Sequence, residues 1–123
     1  MSILNWFTRN WADTDEGIDP ALAPPLIPMP ISTALELVEQ ILSAFSLWTI
    51  ESVDREQFTL HATRRTRIMR FVDDIRIRLE EVPEGTRLHA RSQSRVGKGD
   101  LGQNRRNLLE LFRTLKKTSE ESS

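Results

Sequence analysis

Between Arg70 and Arg95 the side chains alternate over two long runs, and little besides a β-hairpin accommodates that pattern. Phe71, Asp73, Ile75, Ile77 and Leu79 fall on one side of an extended segment. After Val82-Pro83-Glu84-Gly85-Thr86 the period of two resumes, with Thr86, Leu88, Ala90, Ser92 and Ser94 on the same side. A proline followed closely by glycine makes a turn. Two strands, at residues 70–82 and 86–95, therefore run antiparallel, and the rest of the chain has to be built onto them.

Upstream, Leu47 to Val53 and Gln57 to Thr63 read as a shorter hairpin around Asp54, Arg55 and Glu56, with Trp48, Ile50, Phe58, Leu60 and Ala62 inward. Before it, Ala34, Leu37, Val38, Ile41, Leu42 and Phe45 recur at the three-and-four spacing of a buried helix face. Ser32 or Thr33 is the predicted cap, with Glu36 completing a capping box. Downstream, Gly97 and Gly99 free the backbone, and Asp100 with Gln103 caps a last helix from Leu101, whose stripe is Leu101, Leu108, Leu111, Phe112 and Leu115. The order α-β-β-β-β-α gives an α+β class: a four-stranded antiparallel meander with two helices packed on one face.

This single domain is expected over residues 32–117. Residues 1–31 precede it as an aromatic leader and a proline-rich arm. Ile3, Leu4, Trp6, Phe7 and Trp11 suit a few turns of amphipathic helix docked on the domain or on a second subunit. The alternative is weak peripheral contact of Trp6, Phe7 and Trp11 with a membrane surface. Pro20, Pro24, Pro25, Pro28 and Pro30 forbid a long helix, so Asp13 to Pro30 becomes an extended arm lying along the domain. Residues 118–123 are expected to be a disordered tail.

Charge is distributed unevenly. Residues 1–63 carry 2 basic and 9 acidic side chains, whereas residues 64–113 carry 13 basic and 7 acidic. Neutralisation of one part by the other within the fold is the simplest consequence. No cysteine is present, which excludes disulfides and thiolate metal sites. No apolar run approaches the roughly 20 residues of a membrane span, and the first residues lack the basic n-region and apolar h-region expected of a signal peptide. A soluble, cytoplasmic protein is expected, with the cytoplasmic membrane surface as the alternative.

Packing alone does not explain several choices near the last strand. Asn104 lies between Leu101 and Leu108 on the apolar face of the closing helix, where an unpartnered amide costs about 1 to 3 kcal/mol. Ser92 and Ser94 reach the same edge of the core, so a buried latch of Asn104 with these serines is predicted. Asp73, on the core side of its strand, also needs a partner, with Arg70, Arg95 or turn amides as candidates. The other sheet face would expose Thr59, His61, Thr63, Asp74, Arg76, Arg78, Glu80, Arg87, His89, Arg91 and Gln93, a polar and mainly basic surface.

These residues spell S-x-S-R-x-G-x-x-D-x-G-x-N, through Ser92, Ser94, Arg95, Gly97, Asp100, Gly102 and Asn104. The pattern resembles the signature of the DUF1499 family, found in bacteria and plastid-bearing organisms. F-V-D-D-I-R-I-R from Phe71 and the stretch A-D-T through D-P-A-L-A-P-P-L are similar to it too. Many relatives carry arginine where this chain has Asn107, and many have a cysteine-bearing leader. The resemblance implies kinship and no particular reaction.

Gly97, Gly99 and Gly102 also spell G-x-G-x-x-G. A dinucleotide site needs a parallel βαβ unit with an acidic residue about 20 positions on, and no such unit follows. A catalytic triad with His89 fails on parity, since His89 points away from the face of Ser92 and Ser94, and no G-x-S-x-G elbow is present, which leaves His61 as a distant alternative. His61 and His89 stand roughly 10 Å apart across an intervening strand, too far to share a metal. No metal and no cofactor is expected. What remains is a non-catalytic binding or interaction domain for a small apolar or anionic ligand or a protein partner. The alternative is nucleic-acid or anion binding by Arg76, Arg78, Arg87, His89 and Arg91, on a face expected to show no aromatic ring beyond the histidines. An enzyme of unknown reaction is third.

Overall fold

The computed structural model describes residues 9–66, 71–95 and 102–122. Its elements are β1 (Trp11–Asp13), β2 (Leu26–Ile27), α1 (Ile31–Ala44), β3 (Trp48–Asp54), β4 (Thr59–Arg65), β5 (Val72–Val82), β6 (Gly85–Ser94) and α2 (Gln103–Ser122). Among the described residues the α+β class, with an antiparallel sheet and two helices, is as expected; the strand count is not. Six strands form the sheet in the order β1-β6-β5-β4-β3, with β2 also paired to β6. The first helix therefore lies between β2 and β3 rather than ahead of all the strands.

Both additional strands come from the residues ahead of α1, β1 from the end of the leader and β2 from the arm. Trp11, Ala12 and Asp13 pair with Gln93, Ser92 and Arg91, while Leu26 and Ile27 pair with Arg87 and Thr86. Pro25 and Pro28 flank β2, and proline is tolerated beside an edge strand because its missing donor would face outward. The carbonyl of Pro25 still accepts the amide of Leu88 at 3.0 Å. Two- and three-residue strands carry too little pattern to be read from sequence.

β5 and β6 are the predicted long hairpin, paired from Asp73 and Ser94 down to Val82 and Gly85. Phe71 lies ahead of β5 and is 44% exposed, so it does not join the core as its parity suggested. The shorter hairpin sits one to two residues later than expected, with a register shift between Ile50 and Ser52 and its turn closed by Phe58 at φ 54°. The Ser32 or Thr33 cap is not used: α1 begins at Ile31, and Pro30 precedes it without a side-chain cap. α2 begins at Gln103, after Gly102 at φ 82°; the start expected at Leu101 and the Asp100 cap lie outside the described residues. The helix runs through Ser122, where a disordered tail was expected.

One cluster joins both helices to the core-facing side of the sheet. Val38, Leu42, Ile75, Leu88, Leu108 and Leu111 are each fully buried. Each such aliphatic side chain contributes about 1.5 to 3 kcal/mol. Among the described residues no helix is long and apolar enough to cross a membrane.

Candidate functional site

Five side chains form a ring of hydrogen bonds where α2 meets the sheet. The Ser92 hydroxyl donates to Asn104 Oδ1 at 2.6 Å, and Asn104 Nδ2 donates to Ser94 Oγ at 2.9 Å. Ser94 in turn donates to Asp73 Oδ1 at 2.9 Å. Asn107 Nδ2 closes the ring, donating to Asp73 Oδ2 at 2.9 Å and to Ser92 Oγ at 3.1 Å. Ser92, Asn104 and Asn107 are fully buried and Asp73 nearly so. Asn104 Nδ2 also donates to the Asn10 carbonyl at 2.8 Å, an oxygen shared with the Ser94 amide. The ring thus fastens α2, β5, β6 and the entry to β1 at one point.

Asn107 was not among the predicted latch residues. It sits one helical turn from Asn104 on the same face, and that i,i+3 spacing, together with the arginine that many relatives carry at this position, was its signal. Among the described residues Asp73 is bonded by Ser94 and Asn107, and Arg95 is not its partner. Because Arg95 faces the other way along the strand, it forms a two-pronged pair with Asp74, Nε to Oδ2 at 2.8 Å and Nη2 to Oδ1 at 3.0 Å. That pair, ahead of the raising effect of partial burial and aided by His61, lowers the Asp74 carboxyl from 3.8 to about 2. Gly97 and Asp100 lie outside the described residues, as do Arg70, Trp6 and Phe7. Gly102 is buried at the foot of α2, its carbonyl accepting the Arg106 amide.

The opposite face of the sheet is organised in cross-strand rungs. His61, Arg76 and Arg91 form one, and Thr59, Arg78 and His89 the next. The rungs floor a trough of about 550 Å³ whose lining includes Asp13, Asp15, Asp54 and both histidines. The acidic arm supplies one rim. Arg91 pairs with Asp13 at 3.0 Å, and Arg78 approaches Asp15 at 3.6 Å. His89 sets Nδ1 2.7 Å from Asp15 and Nε2 2.8 Å from Glu80; the ring bonds both carboxylates only when both nitrogens carry hydrogen. Partial burial raises the Asp15 carboxyl, but the bonds from His89 and Thr14 outweigh it and hold the group below its ordinary value. Arg87 reaches the Pro24 carbonyl at 3.2 Å.

This face is therefore not the free basic surface expected. Arg87, His89 and Arg91 hold the arm, and Thr63 is buried, donating to Glu51 across the irregularity in β3. Arg76 is different: it is exposed, and among the described residues it forms no hydrogen bond or ion pair. An aromatic ring does stand on this face, because β1 brings Trp11 alongside Gln93. Trp11 is in a strand rather than an amphipathic helix, and the guanidinium carbons of Arg9 and Arg91 lie 4.2 and 4.6 Å from its ring centre.

Among the described residues, neither latch serine is bonded to a histidine. Both latch serines spend their hydrogens inside the ring, and the two histidines bond carboxylates on the far side of the sheet. Among the described residues no three His, Cys, Asp or Glu side chains are grouped as metal ligands. A family model described as a protein of unknown function, DUF1499, matches residues 5–115. No curated protein matches the chain.

Proposed function

The chain belongs to the DUF1499 family, whose description names no activity, and from its own surfaces we propose a non-catalytic binding domain that takes a small anionic ligand on the open face of the sheet. The carrying observation is Arg76, an exposed guanidinium without a carboxylate partner among the described residues, set between His61 and Arg91 on its rung. An oxyanion there is met by a planar donor fork, with the Arg78 and Arg91 guanidinium groups on the same floor. The trough volume suits a ligand of a few to a dozen heavy atoms.

An apolar ligand between helices and sheet is disfavoured, because fully buried aliphatic side chains fill that space. Nucleic acid is disfavoured too, since Trp11, the ring on which a base would stack, is already engaged by two guanidinium groups. The cytoplasm is the location proposed with this reading. Calorimetric titration with pyrophosphate at low salt tests it. Saturable binding is expected, weakened about tenfold or more by Arg76→Gln, the weight of one charge-assisted contact, with the melting temperature unchanged. Absence of binding, or binding indifferent to Arg76→Gln, overturns the proposal. Tight binding of single-stranded DNA with a steep salt dependence would replace it with the nucleic-acid reading.

A further inference from the structure

A second cleft, of about 210 Å³, opens where β3 begins and β4 ends, and is lined by Ser46, Leu47, Trp48, Arg64 and Glu110. Trp48 and Arg64 are register partners, so they share one face of the sheet, and Glu110 comes to the cleft from α2. Trp48 is only 7% exposed and is fixed edge-on against Phe45, with ring centres 5.3 Å apart. Its indole Nε1 and the Nε of Arg64 are both buried and both lack a hydrogen-bond partner. Two N–H donors withdrawn from water, on two residues that line one cleft, call for an acceptor.

Charge narrows what that acceptor belongs to. Arg64 and Glu110 line the same cleft, yet they form no ion pair with each other or with another described residue. A simple anion would meet the Glu110 carboxylate, and a simple cation would meet the Arg64 guanidinium. A molecule carrying both charges is opposed by neither.

We propose that this cleft binds a small zwitterionic amino acid. Its carboxylate accepts from the Trp48 indole N–H and the Arg64 Nε–H, and its ammonium group donates to Glu110. The site is independent of the trough on the open face, so either can fail without the other.

The test follows the indole N–H resonance of Trp48, assigned by its loss in Trp48→Phe, during titration of the full chain with glycine, β-alanine and 4-aminobutyrate. At least one zwitterion is expected to shift it saturably, with acetate and methylammonium binding about tenfold or more weakly, since each supplies one of the two charged contacts. Arg64→Met and Glu110→Gln, both at the rim of the core, should each weaken binding by a similar factor, while pyrophosphate leaves the resonance in place. A resonance unmoved by all three zwitterions, equal response to acetate, or binding untouched by Glu110→Gln overturns the proposal and leaves a cleft that holds water alone.

Discussion

At the scale of single residues, the fold turns on amides and hydroxyls that bulk hydrophobicity would not place in a core. Asn104 was legible in the sequence because it interrupts an apolar stripe, and a buried amide must be answered by something close at hand. Asn107 was noted only as a departure from the family pattern and not as a latch residue, because it adjoins Leu108 at the border of that stripe, where a polar residue is ordinary. Its two donors nonetheless bridge β5 and β6. Arg95 was offered to Asp73 although alternation already sent the two to opposite faces, so Asp74 is its partner. Asn107→Ala should leave Asp73 Oδ2 and Ser92 Oγ short of a donor and destabilise the domain by about 1 to 3 kcal/mol, several degrees in melting temperature. Asn104→Ala should act in the same direction, leaving the Ser92 hydroxyl without its acceptor. Thermal denaturation followed by circular dichroism measures both, and unchanged transitions would show that the ring carries no stability.

Among elements, the arm differs most from what its composition suggested. Prolines excluded a long helix there, and two single 3-10 turns, Thr14–Glu16 and Pro20–Leu22, stand in the arm; the prolines also left room for strands too short to show a period of two. What makes those strands stick is side-chain chemistry at the edge of β6. As the chain turns away after Asp13, the buried Thr14 hydroxyl takes over as acceptor for the Ala90 amide at 2.9 Å, continuing the ladder with a side chain. At the other end the Thr86 hydroxyl donates to the Met29 carbonyl at 2.9 Å. Gly85, at φ 142°, lets the β5–β6 turn pass close under β2; a Cβ there would overlap the Ile27 carbonyl oxygen and crowd the Met29 amide. Gly85→Ala should therefore cost more than the roughly 1 kcal/mol of an ordinary glycine replacement and should loosen β2. Hydrogen exchange at the Leu88 amide, bonded to Pro25, is the direct reading. Protection equal to the parent chain would mean that β2 adapts to the added methyl group.

Across the whole molecule, the unequal charge of the two parts becomes a set of contacts between arm and sheet. Asp13 and Asp15 meet Arg91, Arg78 and His89, while Asp19 bonds Arg105 of α2 at 2.8 Å. Burial raises the Asp19 carboxyl, yet Arg105 and the Ala21 amide together hold it below its ordinary value, as His89 and Thr14 do for Asp15. Asp74, at about 2, belongs with them. Groups whose folded values are depressed bind protons more readily when the chain is unfolded, so their stabilisation is complete above the ordinary carboxylate value and is lost as pH falls through the folded one. The melting temperature should thus stay level above about pH 5 and fall steadily from about pH 4 towards pH 2. Asp15→Asn with Asp19→Asn should lower it at neutral pH and flatten the acid decline, because two of the titrating groups are gone. These pairs are partly exposed, so added salt should mimic the double variant in part. Differential scanning calorimetry across pH, on parent and double variant, separates this from general acid unfolding: parallel curves would mean that the carboxylates of the arm do not hold it to the sheet.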